Sequence, residues 1–272
     1  MSIGTDLPIC QLIRHLIRVD FPWMATAPTR PRLRPHSDNL FFAGMAAVAL
    51  IVVLMGFART YFLAGLFRAP LPNLLVHIHA VAFTLWIILF ITQVSLVTAR
   101  RVDRHRRLGL LGFVLALIMI VLGAATASDR LARHVAQPGT DTVEEVRAFY
   151  AVPLGDILMF STFIYFGYRN RFHPGVHKRL MWFATLSLLD AGFDRWPCFD
   201  PYSLPVVNLI CFTPLLLLVI GYDWWSTGKV QRVTIWSATF LVFVQQIRHP
   251  IGYTAAWQSF AARVAMHMSP FS

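Results

Sequence analysis

Long apolar runs separated by short basic punctuation dominate the chain. Six segments, 40–58, 71–99, 108–127, 148–168, 180–196 and 204–222, are predominantly apolar. Each is close to the roughly 20 residues that carry an α-helix across about 30 Å of hydrocarbon. The runs are continuous, whereas barrel strands alternate over about ten residues, and helices satisfy their own backbone groups as lipid demands. A seventh segment, 233–247, is shorter and either thins the bilayer locally or continues past Arg248. The expected architecture is all-α: a polytopic transmembrane helical bundle of about seven spans (six to seven) over 39–247. A basic N-terminal segment, 1–38, precedes it and an interfacial tail, 248–272, follows.

Composition supports this reading. Of 272 residues, 57% are hydrophobic and 14% charged, against about 25% charged in soluble proteins. The net charge of +11 raises the question of a nucleic-acid partner, and its distribution answers it. Taking successive loops alternately, sixteen of the 24 basic residues fall on the face that begins with the N-terminus, including Arg100, Arg101, Arg104, Arg106, Arg107, Lys178 and Arg179. The other face carries eight, among them Arg59, Arg130, Arg195 and Arg248. The positive-inside rule therefore predicts a cytoplasmic N-terminus. The expected partners are anionic lipid headgroups at the cytoplasmic face, with no nucleic acid. The proline-punctuated stretch 28–35 suits that surface. Two readings stand for residues 1–23. One is a basic helix on the inner leaflet, with Ile9, Leu12, Ile13, Leu16 and Ile17 on one stripe; the other is translation from Met24.

Candidate chemistry follows from polar groups placed inside hydrocarbon, where each costs about 2.5–3.5 kcal/mol on insertion scales. His77 and His79 in the second segment, Asp156 in the fourth, Asp190 in the fifth, Asn208 in the sixth, and Gln245 and Gln246 in the seventh all fall near one level beneath the outer surface. His79, Asp156 and Asp190 form a candidate ligand set for a divalent transition metal. His77 points away, because i and i+2 on a helix lie about 200° apart. The alternatives are a hydrogen-bond network that locks helix packing and a proton or substrate pathway. On the cytoplasmic side, His105 and His177 sit among arginines at helix starts and are candidate cofactor ligands, with haem b the expected group. His105-Arg106-Arg107-Leu108 and His177-Lys178-Arg179-Leu180 also suggest a duplicated two-helix unit. Cys10, Cys198 and Cys211 show neither ligand spacing nor a disulfide framework. The sequence has no Walker loop, HExxH, GxSxG or CxxC, so no motif supports ATP hydrolysis or the common hydrolases.

On His77-Ile78-His79-Ala80, Gln93 and His105-Arg106-Arg107-Leu108-Gly109, and from His177-Lys178-Arg179-Leu180-Met181 to Arg195-Trp196-Pro197, the chain resembles a group of uncharacterised bacterial multi-pass membrane proteins with HxH and HRxxG-type histidine motifs. The likeness covers roughly residues 55–200. It implies architecture and a bacterial cytoplasmic (inner) membrane rather than an activity. A more distant resemblance is to transmembrane b-type cytochromes, which implies haem. The chain departs from their pattern: span four offers Asp156 in place of a histidine, and His79 and His105 lie on opposite sides. One haem between His105 and His177 is what that resemblance leaves. The functional expectation is a metal- or haem-binding membrane protein in redox or assembly chemistry. Against it stand a proton-coupled small-molecule transporter using Asp156 and Asp190, and a non-catalytic structural membrane protein.

Overall fold

The computed structural model describes residues 35–68, 72–137, 139, 141–199 and 202–268. The two readings of residues 1–23 lie outside them. The described residues are helical, with no strand among them. Helix α1 is Pro35–Phe57, continued by a π turn, Ala58–Phe62, and a short helical turn, Ala64–Phe67. Then come α2 Leu74–Thr98, α3 Val102–Ala136, α4 Val143–Phe149, α5 Ala151–Arg169, α6 Pro174–Leu186, α7 Asp190–Phe193, α8 Leu204–Thr227, α9 Arg232–Gly252 and α10 Ala255–His267.

Five helical stretches are long and apolar enough to cross a membrane: Asp38–Phe62, Leu74–Thr98, Val102–Ala136, Val143–Arg169 and Leu204–Thr227. Their outward faces expose Ile51, Leu85, Leu111, Leu117, Val121 and Leu217. Apolar surface on that scale belongs in lipid, and the protein is a membrane-embedded all-α bundle.

The fifth predicted segment, 180–196, is not one continuous helix. It divides into α6 and α7 at residues 187–189, where the backbone bonds shorten to i→i+3: Leu188 N–H donates to Thr185 O (3.1 Å) and Leu189 N–H to Leu186 O (3.0 Å). Among the described residues this broken element is the least exposed. Leu180, Trp182, Phe183, Ala184, Leu186 and Leu189 are wholly buried, so its apolar character serves protein contacts. Gly192 and Gly56 let α7 approach α1 backbone to backbone, where a Cβ on Gly56 would strike the Gly192 carbonyl.

The seventh segment continues past Arg248, the second of its two expected forms. α9 has 21 residues, about 32 Å at 1.5 Å each. Its buried stripe runs through Thr234, Ser237, Leu241, Val244, Gln245, Arg248 and Gly252, the spacing of one helix face. Pro250 falls in the last turn, where it interrupts little.

α3 has 35 residues, about 52 Å, and overshoots any hydrocarbon core. Its last turns, α4 and α10 form a cap with its own small core of Ala127, Leu131, Val146, Tyr150 and Ala261. Residues 128–147, between the third and fourth apolar segments, are thus largely helix. α4 starts with a capping box, Thr142 and Glu145 bonding reciprocally. The C-terminal segment docks there: Trp257 Nε1 donates to Arg147 O (2.9 Å) and Gln258 Nε2 to Glu144 O (3.1 Å).

Candidate functional site

The break before α7 sets Asp190 in the bundle interior, facing α5 and α9. Arg248 of α9 bridges two carboxylates. Its Nη2 donates to Asp190 Oδ2 at 2.6 Å, and its Nη1 donates to Asp156 of α5 and to Val152 O at 3.3 Å. Arg248 is 3% exposed and Asp190 2%. Glycine makes the room: a Cβ on Gly155 would stand 2.9 Å from Arg248 Cδ, and one on Gly252 only 2.5 Å from Ala148 O. A guanidinium forks between two acceptors as an ammonium cannot. The bonded group has two carboxylates for one cation, with Asp190 Oδ1 buried and without a hydrogen-bond partner.

Asp156 and Asp190 are therefore brought together, as their common depth predicts, but around a guanidinium. His79 is not brought to them. Its ring stacks on Phe83 at 4.1 Å and meets the Leu122 carbonyl of α3. Among the described residues no group of three or more His, Cys, Asp or Glu side chains is disposed to hold a metal ion.

Next to the triad, at the cap end, a cleft of about 700 Å³ is lined by His249 and by Val152, whose carbonyl accepts from Arg248. Val152 and Pro153 of α5 line it, and Asp156 lies one turn deeper. Arg130 and His134 of α3, Asp141, Glu145, Asp194 and His249 give it charge; Phe149, Tyr150, Tyr202 and Tyr253 give it aromatic wall. Tyr150 is fixed by a 2.8 Å hydrogen bond between its hydroxyl and that of Ser128. Pockets in membrane bundles form where helices break and their ends leave room for ligand, and this cleft is bounded by the ends of α3, α5, α8 and α9.

At the opposite end, the two similar tetrapeptides meet. The rings of His105 and His177 lie 6.3 Å apart at 78°. His177 Nδ1 is 2.9 Å from Gly167 O, so Nδ1 carries the proton and Nε2 the lone pair. With its amide nitrogen turned to the imidazole, Gln93 donates to His105 Nδ1 at 2.6 Å and accepts from Gly109 N at 2.8 Å. That puts the proton of a neutral His105 on Nε2. One imidazole presents an acceptor and the other a donor.

Two ion networks missing from the sequence reading flank this end. Arg179 Nε donates to Asp223 Oδ1 at 3.0 Å, while Asp223 Oδ2 accepts from Gln231 N (3.2 Å) and Thr234 Oγ1 (2.5 Å). Asp38 accepts from Lys178 and, at 2.8 Å, from the Tyr222 hydroxyl. Helical period is the signal that finds Arg248: the stripe of Leu241, Val244 and Gln245 continues onto it. Asp223 and Asp38 stand at helix ends, where sequence offers no such cue. No protein-family model, curated protein sequence or solved structure matches the chain.

Proposed function

We propose that this protein is a seven-span carrier of a bacterial inner membrane, N-terminus cytoplasmic, that moves a small polar solute coupled to a proton at the Asp156–Arg248–Asp190 triad. The observation that carries this reading is the charged cleft joined to that buried triad through Val152, which lines the cleft and whose carbonyl accepts from Arg248. Two carboxylates bonded to one guanidinium are balanced by one further positive charge, and a proton is the smallest. A charged group this deep is a costly feature that functional polar pathways retain. The cleft's walls support the span count. α5 and α8 both start at the cleft and α9 ends there, so α6 with α7 must return across the bundle between α5 and α8. The basic turns at Arg104 and Lys178 then share the far face.

The test is reconstitution into vesicles enclosing a pH-sensitive dye. Addition of a mixture of amino acids, amines, sugars and carboxylic acids should acidify the lumen, and Asp156→Asn or Asp190→Asn should abolish the signal. A response equal to that of protein-free vesicles overturns the reading. Cysteines at Arg104 and Asp141 should label from opposite sides; labelling from the same side overturns the topology.

A second reading, a haem b or transition-metal protein, is favoured by the approach of His105 and His177. His177 Nε2 would be the ligand, held in orientation by the Gly167 carbonyl that accepts from its Nδ1, as an acceptor on the other ring nitrogen commonly orients a ligating imidazole. A Soret band or stoichiometric metal in detergent-purified protein supports it. Colourless, metal-free protein removes it.

A further inference from the structure

Most charges around the cleft are already committed. Arg133 pairs with Asp129 at 2.8 Å. Arg195 donates to the Ala191 carbonyl and its guanidinium lies over Phe57, 4.6 Å from the ring centroid. Glu145 Oε2 accepts from the Thr142 amide at 2.7 Å and hydroxyl at 2.9 Å, closing the α4 cap. Three charges remain uncommitted: Arg130 on one wall, Asp194 and Asp141 on others. Arg130 lies within electrostatic reach of both carboxylates, and Arg195 within reach of Arg130 and Asp194, yet no ion pair within 4 Å joins Arg130 to either carboxylate. Arg130 is also pre-ordered, with its guanidinium 4.1 Å from the centroid of Phe149. Opposite charges held in one cleft but apart from each other suit a ligand that carries both.

We infer that the cleft between α3, α4 and the start of α8 recognises a small zwitterion, its anionic group on Arg130 and its primary ammonium on Asp194 and Asp141. This deepens the carrier reading and rests on it for the cleft's purpose. The aromatic wall of Phe149, Tyr202 and Tyr253 suits an apolar or aromatic substituent between the charges. Two sources offer this chemistry: a free α-amino acid, and the ammonium–phosphate headgroup of phosphatidylethanolamine.

Three probes separate the charges. Phenylalanine carries both, phenylalaninamide only the cation, and N-acetylphenylalanine only the anion. With the full chain in mild detergent, calorimetric titration should show phenylalanine binding about tenfold or more tightly than either analogue, since each lost charge-assisted contact is worth roughly that factor. Arg130→Gln should shift the preference toward phenylalaninamide. Asp194→Asn combined with Asp141→Asn should shift it toward N-acetylphenylalanine. All three positions are exposed, so the variants should fold as the wild type does. Transfer to nanodiscs distinguishes the sources. Phosphatidylethanolamine competing with phenylalanine, where phosphatidylglycerol does not, assigns the site to the lipid headgroup and upholds the zwitterion. Equal affinity for the three probes, tighter binding of a singly charged one, or no effect of phenylalanine and phosphatidylethanolamine alike overturns it. Intact zwitterion binding with no vesicle acidification would instead sink the carrier reading alone.

Discussion

Replacing Arg248 with methionine removes the single cation between Asp156 and Asp190 while keeping a long apolar stem in the space above Gly155. Arg248 is 3% exposed and donates to two carboxylates and to Val152 O. Deleting one partner of a buried ion pair costs about 3–5 kcal/mol, because the remaining charge has neither water nor partner. Here two carboxylates are left, which places the loss at the upper end. At about 2–4 °C per kcal/mol for a chain of this size, the midpoint of thermal unfolding should fall by about 10 °C or more. The assay is retention of monodisperse protein after heating in detergent, read by size-exclusion chromatography. The triple change Arg248→Met, Asp156→Asn, Asp190→Asn is the control that separates charge from packing. Neutralising a whole buried ionic group is often close to neutral for stability, so this variant should recover most of the loss. A single variant as stable as the wild type, or a triple variant as unstable as the single, refutes the view that Arg248 and the two carboxylates stand or fall as one ionic unit.

Gly252→Val should destabilise the same junction by about 1–3 kcal/mol through overpacking, since its Cβ would stand 2.5 Å from Ala148 O; the same heating assay reads it. Asp223→Asn leaves Arg179 buried without its counter-ion and should cost about 3–5 kcal/mol, with partial recovery when Arg179→Met is added. Trp257→Phe removes the bond to Arg147 O, worth about 1 kcal/mol. Proteolysis of the α10 cap should quicken while the midpoint of the bundle scarcely moves.

Sequence periodicity read the lipid-facing part of this fold well. α2 and α8 lie within a few residues of the predicted 71–99 and 204–222, because a helix whose surroundings are lipid must be apolar nearly all round and ends where charge begins. The same rule fails for helices surrounded by protein. Segment 233–247 leaves open whether the helix stops at Arg248 or passes it, and only the buried stripe that continues to Gly252 decides for the longer helix. Segment 180–196 reads as one apolar run, and only Ser187 hints at the break. Of the proposed ligand set, depth along the helix was enough to bring Asp156 and Asp190 together. Rotation about the helix axis, which depth does not give, turned His79 toward α3.

The division between five strongly apolar helices and two mixed ones has a physical logic. α1, α2, α3, α5 and α8 supply most of the exposed apolar surface, and the broken α6–α7 element and α9 supply Arg179, Asp190 and Arg248, which pair with each other or with carboxylates on α5 and α8. α6–α7 is held at both ends: Lys178 and Arg179 are met by Asp38 and Asp223 at its start, and Asp190 is met by Arg248 at its finish. α9 contributes to both ends, Thr234 to the Asp223 group and Arg248 to the triad. Between those polar ends lies a dry stretch with Trp182, Phe183 and Leu186 wholly buried. A charge on the lipid-facing side of a helix would meet hydrocarbon, whereas the charges of α5 and α8 turn inward to the cations that α6 and α9 present. The helices least suited by composition to a membrane are the ones in which to look for what this protein does there.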